Sequence, residues 1–242
     1  MTGDRAVSDT LAFTLVFAII ITSVGFTGLY GVDAVESIRD GAQANTAEQS
    51  MNGYAAGVAR IRDDRAPQHV QRLELNGDHL QTADSELRVE IEYDDGSTED
   101  ETIQVGTFER RTAGDTRFVY TSGATFRVQR GGAVVTGEPA LRCGSDTAHA
   151  SLVTVDGRVS QSSDRSVTVR TTARDRMAIT PLDPDGDVAS VTIDVRNTRY
   201  DEAWERLFES ELTDWSGNDG EYTCSGIDRA IVHNTTVETT VD

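Results

Sequence analysis

The stretch from Thr10 to Val32, TLAFTLVFAIIITSVGFTGLYGV, holds no charged residue between Asp9 and Asp33, and this constrains the rest of the chain more than any other feature. Its 23 residues exceed the roughly 20 mostly apolar residues that a helix needs to cross the hydrocarbon core of a bilayer. Three readings are open: a cleaved secretory signal, a permanent membrane anchor, or an apolar stem that leaves the bilayer when the protein is assembled.

The flanks of the stretch rank these readings. A secretory signal has a basic leader, an apolar run of about 7 to 15 residues and a small-residue cleavage site after it. Here the leader is MTGDRAVS, with Arg5 and the amino terminus as its positive charges, and the apolar run is longer. Processing is therefore expected before the run. Asp33, Glu36 and Asp40 dominate the far flank with only Arg39 opposing them, so the positive-inside rule predicts a cytoplasmic amino terminus and an exterior remainder.

Beyond the apolar run, Ala47, Met51, Tyr54, Val58 and Ile61 recur at helical spacing with no proline before Pro67. That is one apolar stripe on a helix that continues from the apolar run, lies on a folded domain and ends near Pro67. Gly25, Gly28 and Gly31 are read in two ways, as local flexibility or as a small face that lets helices approach closely.

From Val70 the period changes to two. Val70 to Leu75 runs into Asn76-Gly77 and then His79-Leu80, which predicts a hairpin. Glu86 to Tyr93 alternates cleanly, turns at Asp94-Asp95-Gly96 and returns through Thr102 to Val105. Further strands are expected at Phe118–Tyr120, Thr125–Val128, Ala133–Val135, Leu152–Val155, Val167–Val169, Val191–Val195 and from Ala230 to Val237. Asp201 to Leu212 breaks this pattern, with Trp204, Leu207, Phe208 and Leu212 on one helical face, expected to pack on the sheet. The fold class expected is α+β: a long N-terminal hydrophobic and amphipathic helix, a mainly antiparallel β-sheet or sandwich domain, and one C-terminal surface helix.

Composition narrows function mostly by exclusion. The net charge is −19, from 41 acidic and 22 basic residues, and every basic residue is arginine. Nucleic acid is excluded as a partner, because phosphate binding needs clustered positive charge. Such acidity without lysine resembles proteins of salt-in halophilic archaea, where concentrated salt screens the self-repulsion.

Cys143 and Cys224 have no metal-ligand spacing and are expected to form one disulfide in an oxidising exterior compartment; two buried free thiols are the alternative. His69, His79, His149 and His233 share no ligand spacing, and no nucleophile, zinc or phosphate-binding motif occurs. No catalytic residue, metal or cofactor is expected. Asp183-Pro184-Asp185-Gly186-Asp187 lacks the spacing and distal glutamate of a calcium loop and reads as a solvated turn. Asn234-Thr235-Thr236 is a sequon, which makes Asn234 a candidate glycosylation site.

Arg5-Ala6-Val7-Ser8, followed by Thr10-Leu11-Ala12-Phe13 and the unbroken apolar run, resembles the class III signal of archaeal type IV pilins and pilin-like proteins. The resemblance implies a haloarchaeal pilin-like protein whose leader is cut by a membrane-embedded prepilin peptidase between Ala6 and Val7, with Arg5 before the cut. Asp9-Thr10-Leu11-Ala12 stands where the major adhesion pilins carry proline and glycine, which points to the larger pilin-like relatives. The implied organisation is a leader at 1–6, a stem helix at 7–66 with a membrane segment at 10–32, and an exterior β-rich domain at 67–242. The implied partners are the membrane and other pilin-like subunits, met through the stem. The expected role is a minor subunit of a type IV pilus-like surface filament, with a non-assembling, membrane-anchored binding protein as the alternative.

Overall fold

A computed structural model describes the backbone of residues 3–112, 114–179 and 188–242, and the side chains of 11–26, 38, 39, 41–112, 114–179 and 188–242. The chain divides into two compact units, Met1–Asn45 and Thr46–Asp242, with the division inside helix α1 (Gly3–Asp63).

Thr46–Asp242 is built mainly of β-strands. One sheet has the order β1 (Gln68–Glu74), β12 (Ser166–Ala178), β16 (Arg229–Val241), β10 (Thr147–Asp156) and β9 (Ala140–Cys143). A second runs β11 (Ser160–Ser162), β2 (His79–Ala83), β5 (Thr107–Arg111), β6 (Arg117–Thr121), β7 (Ala124–Gln129) and β8 (Gly132–Gly137). The third is β14 (Ser216–Asn218), β15 (Glu221–Ser225), β13 (Val188–Asp194), β3 (Glu86–Tyr93) and β4 (Thr98–Gln104). Helix α2 (Asp201–Ser210) is the only other helix among the described residues.

Two expectations are corrected here. Among the described residues the architecture is mostly β, with three sheets and one parallel pair, β10 with β16, rather than α+β with a single sheet or sandwich. The sequence shows which segments alternate, but not how sixteen strands distribute among sheets. Second, among the described residues no helix is long and apolar enough to cross a membrane, so the expected transmembrane helix at 10–32 is not found.

The predicted stripe of α1 is buried: Ala47, Met51, Tyr54, Val58 and Ile61 are each 2% exposed or less. Tyr54 anchors it. Its ring stacks on Phe108 of β5 at 4.4 Å and meets Tyr120 of β6 edge-on at 5.2 Å. Its hydroxyl shares a 2.7 Å hydrogen bond with Thr239 Oγ1 of β16, and burial pushes its pKa up to about 12. Gln71 of β1 donates to the Ser50 carbonyl, and Arg176 of β12 donates to the Ile61 carbonyl near the helix end.

A second core lies against α2. Acidic Asp201 and Glu202 open this helix, where they complement its dipole. Its inner face buries Trp204, Leu207 and Phe208. Phe208 stacks on Tyr222 at 4.1 Å, and Trp204 meets Phe126 edge-on at 5.7 Å. Leu87, Val89 and Ile91 from the alternating strand β3 join the same core. Trp204 and Phe208 are thus core residues.

The strands β3 and β4 pair antiparallel across Asp94-Asp95-Gly96, where Gly96 takes φ +82° and donates to the Tyr93 carbonyl. At Asn76-Gly77 the local turn also forms: both residues have positive φ, and Asp78 N–H bonds the Leu75 carbonyl at 2.9 Å. The expected hairpin does not. Strand β1 pairs with β12 and β2 pairs with β5, so the chain forks into two sheets.

Candidate functional site

The fork is held by Arg110, on β5. Its guanidinium is wholly buried and bonds the equally buried Asp78 carboxylate (Nε to Oδ2, 2.7 Å), the Glu74 carbonyl at 2.7 Å and Ser50 Oγ of α1 at 2.7 Å. One side chain thus joins β1, the turn after it, β5 and the helix. Neighbouring Glu109 is 1% exposed and accepts from Thr107 Oγ1, Gln81 Nε2 and Arg199 Nε. The sequence reading passed over this strand. Thr-Phe-Glu-Arg-Arg gives neither an apolar run nor an alternation, because its buried groups are mostly polar and satisfied by partners distant in sequence.

Helix α1 behaves differently in its first unit. Leu11, Phe13, Leu15, Val16, Phe17, Ile19, Ile20, Ile21, Val24 and Phe26 are all between 53% and 72% exposed. At 3.6 residues per turn these positions surround the helix. Thr22 Oγ1 bonds back to the Ala18 carbonyl at 2.7 Å, so this hydroxyl is satisfied within the helix. Phe13 and Phe17 stack along the helix at 6.2 Å. The result is an apolar surface around the helix with no polar face to keep it in water. Fully burying one such side chain stabilises by roughly 1.5–3 kcal/mol, so covering ten is a large driving force.

The processing-site residues Arg5, Ala6 and Val7 lie in α1, and their side chains are outside the described residues. So is the whole of Asp183–Asp187.

Cys143 and Cys224 are joined by a disulfide with Cα atoms 5.5 Å apart, tying β9 of one sheet to β15 of another. Asn234 sits in the interior strand β16, 7% exposed, and both atoms of its amide pair with Thr154 Oγ1 across to β10. In the folded chain the amide is committed to the sheet rather than offered at a surface.

His149 and His233 meet edge-on at 6.0 Å. Burial, the neighbouring His149 and Arg62 hold His233 below its usual pKa. Among the described residues no group of three or more His, Cys, Asp or Glu side chains is placed to hold a metal.

The sequence matches the family of unknown function DUF7289 across residues 5–242. No curated protein and no solved structure matches it.

Proposed function

We propose a structural role for this chain, which belongs to the family of unknown function DUF7289: a pilin-like subunit, a minor component of an archaeal type IV pilus-like surface filament. The observation that carries this reading is the apolar surface of α1 from Leu11 to Phe26, exposed on all sides. An amphipathic helix buries one stripe on its own domain, as Ala47 to Ile61 do. A helix apolar all round needs cover on every side, and parallel stems of neighbouring subunits supply it. The leader Arg5-Ala6-Val7 immediately before this segment supports processing ahead of the stem. The disulfide and the acidic surface support an exterior location for the β domain.

Mass spectrometry of the mature amino terminus tests the processing step. A chain beginning at Val7 is expected, and an intact leader, or cleavage beyond Val32, counts against the proposal. Assembly is tested by shearing cells and probing the filament fraction. Retention of the protein on the cell body alone favours a non-assembling binding protein.

A further inference from the structure

Residues of the three sheets line an open cleft of about 670 Å³. Its lining comes from all three: Thr82 of β2, Thr154 and Asp156 of β10, Gln104 of β4, with Arg158 and Arg199 from loops. This volume lies within the roughly 300–1,000 Å³ of ordinary small-molecule sites.

Two features show a cleft built to a fixed shape. Its wall depends on glycines at which a side chain would collide with backbone. A Cβ on Gly106, at φ +60°, would lie 2.4 Å from the Val155 carbonyl oxygen, and one on Gly157, at φ +121°, would lie 2.3 Å from that of Thr239. The second feature is Arg199. Its Nε is 3.0 Å from Oε1 of the buried Glu109, and its backbone N–H is held by Ser85 Oγ at 3.1 Å. Glu109 is itself fixed by Thr107 and Gln81. A buried carboxylate held by three donors adds little net stability, but it positions a half-exposed guanidinium at the cleft.

The lining defines the chemistry of the occupant. Only Ala83 and Val155 contribute apolar side chains, and no aromatic ring lines the cleft, so lipids and aromatic ligands find little to pack on. Guanidinium groups bind carboxylates through paired N–H donors, and Arg158 makes no ion pair or side-chain hydrogen bond among the described residues. Asp84 and Asp156 line the same cleft. They repel polyanions such as polyphosphate and accept hydrogen bonds from hydroxyls, as Gln104 and Thr236 also can, whereas the Thr82 and Thr154 hydroxyls are taken up by Gly157 and Asn234.

We propose that this cleft binds a polyhydroxylated carboxylate, a uronic-acid sugar, with Arg158 and Arg199 on the carboxylate and Asp84, Asp156, Gln104 and Thr236 on the hydroxyls. The inference does not depend on filament assembly, and it would give a surface subunit a specific ligand.

Isothermal titration of the full chain, held in detergent at high KCl, tests it with galacturonate, a single uronic acid, as probe and galactose as neutral comparator. Saturable binding of galacturonate is expected, with galactose at least tenfold weaker. Arg158→Gln and Arg199→Gln are each expected to weaken binding tenfold or more. Because Arg199→Gln leaves Glu109 without its cation, the exposed Arg158→Gln serves as the variant least dependent on folding, and near-UV circular dichroism checks both. Absence of saturable galacturonate binding, equal binding of galactose, or unchanged affinity in folded Arg158→Gln overturns the proposal.

Discussion

Arg110 and Asp78 form an ion pair with no exposed surface on either side chain. Desolvating two charges costs several kcal/mol each, and the pair repays that only when every donor is satisfied. Here the guanidinium also bonds Glu74 and Ser50, so removing its anion strands a buried cation. Asp78→Ala is expected to destabilise by about 3–5 kcal/mol, measured by denaturant unfolding at constant high salt, whereas Asp78→Leu combined with Arg110→Met is expected to lose less than either change alone. A single-variant loss below about 1 kcal/mol, the scale of an exposed ion pair, would remove Arg110 from its role at the fork. Residues of this kind were not legible in the sequence. Tyr54 was, because its burial follows from helical spacing, but Arg110 reads like any other solvated arginine until its partners are brought in from α1, β1 and the turn at Asp78.

Helix α1 carries two different patterns along one continuous element. From Ala47 to Ile61 a single stripe is buried and the opposite face is wet, whereas from Leu11 to Phe26 the apolar residues surround the axis. Both patterns were visible as periodicity, or the lack of it. The expected membrane span was not borne out: among the described residues no helix is long and apolar enough to cross a membrane. Phe17→Asp is expected to leave the thermal unfolding of the β domain unchanged while abolishing self-association of the full chain in sedimentation velocity. Unchanged association in that variant would show that this surface is not where subunits meet. Strand pairing shows the same division at short range. Asn76-Gly77 fixed its turn from local chemistry alone, yet the strands on either side separated, because β1 pairs with β12 over seven residues and Arg110 fills the space of the fork.

At the scale of the whole molecule, a net charge of −19 is a standing repulsion within the folded state. Screening length falls from about 10 Å at 0.1 M salt to about 3 Å at 1 M, so the folded state is expected to gain stability with salt. Thermal unfolding followed by circular dichroism should show a melting temperature that climbs steadily between 0.1 and several molar KCl. A melting temperature independent of salt would indicate that the interspersed arginines already neutralise the repulsion locally. The disulfide acts at the same scale: it closes a separation of 81 residues, and such a closure stabilises by about 4 kcal/mol in the chain-entropy account. It also ties two sheets that no backbone hydrogen-bond ladder joins among the described residues.

The sequence by itself determined what depends on neighbours within a few residues: the stripe of α1, the inward face of α2, the β3–β4 hairpin, the turn at Asn76-Gly77 and the apolar surface at Leu11–Phe26. Only the tertiary structure decided which strands share a sheet, that β10 and β16 run parallel, that Asn234 is committed to a sheet interior, and that Arg199 faces a cleft with a buried glutamate behind it. The physical reason is range. Periodicity records which side of an element avoids water, but the partner of a strand or a buried charge is chosen by competition among segments far apart in the chain, and that competition leaves no local mark.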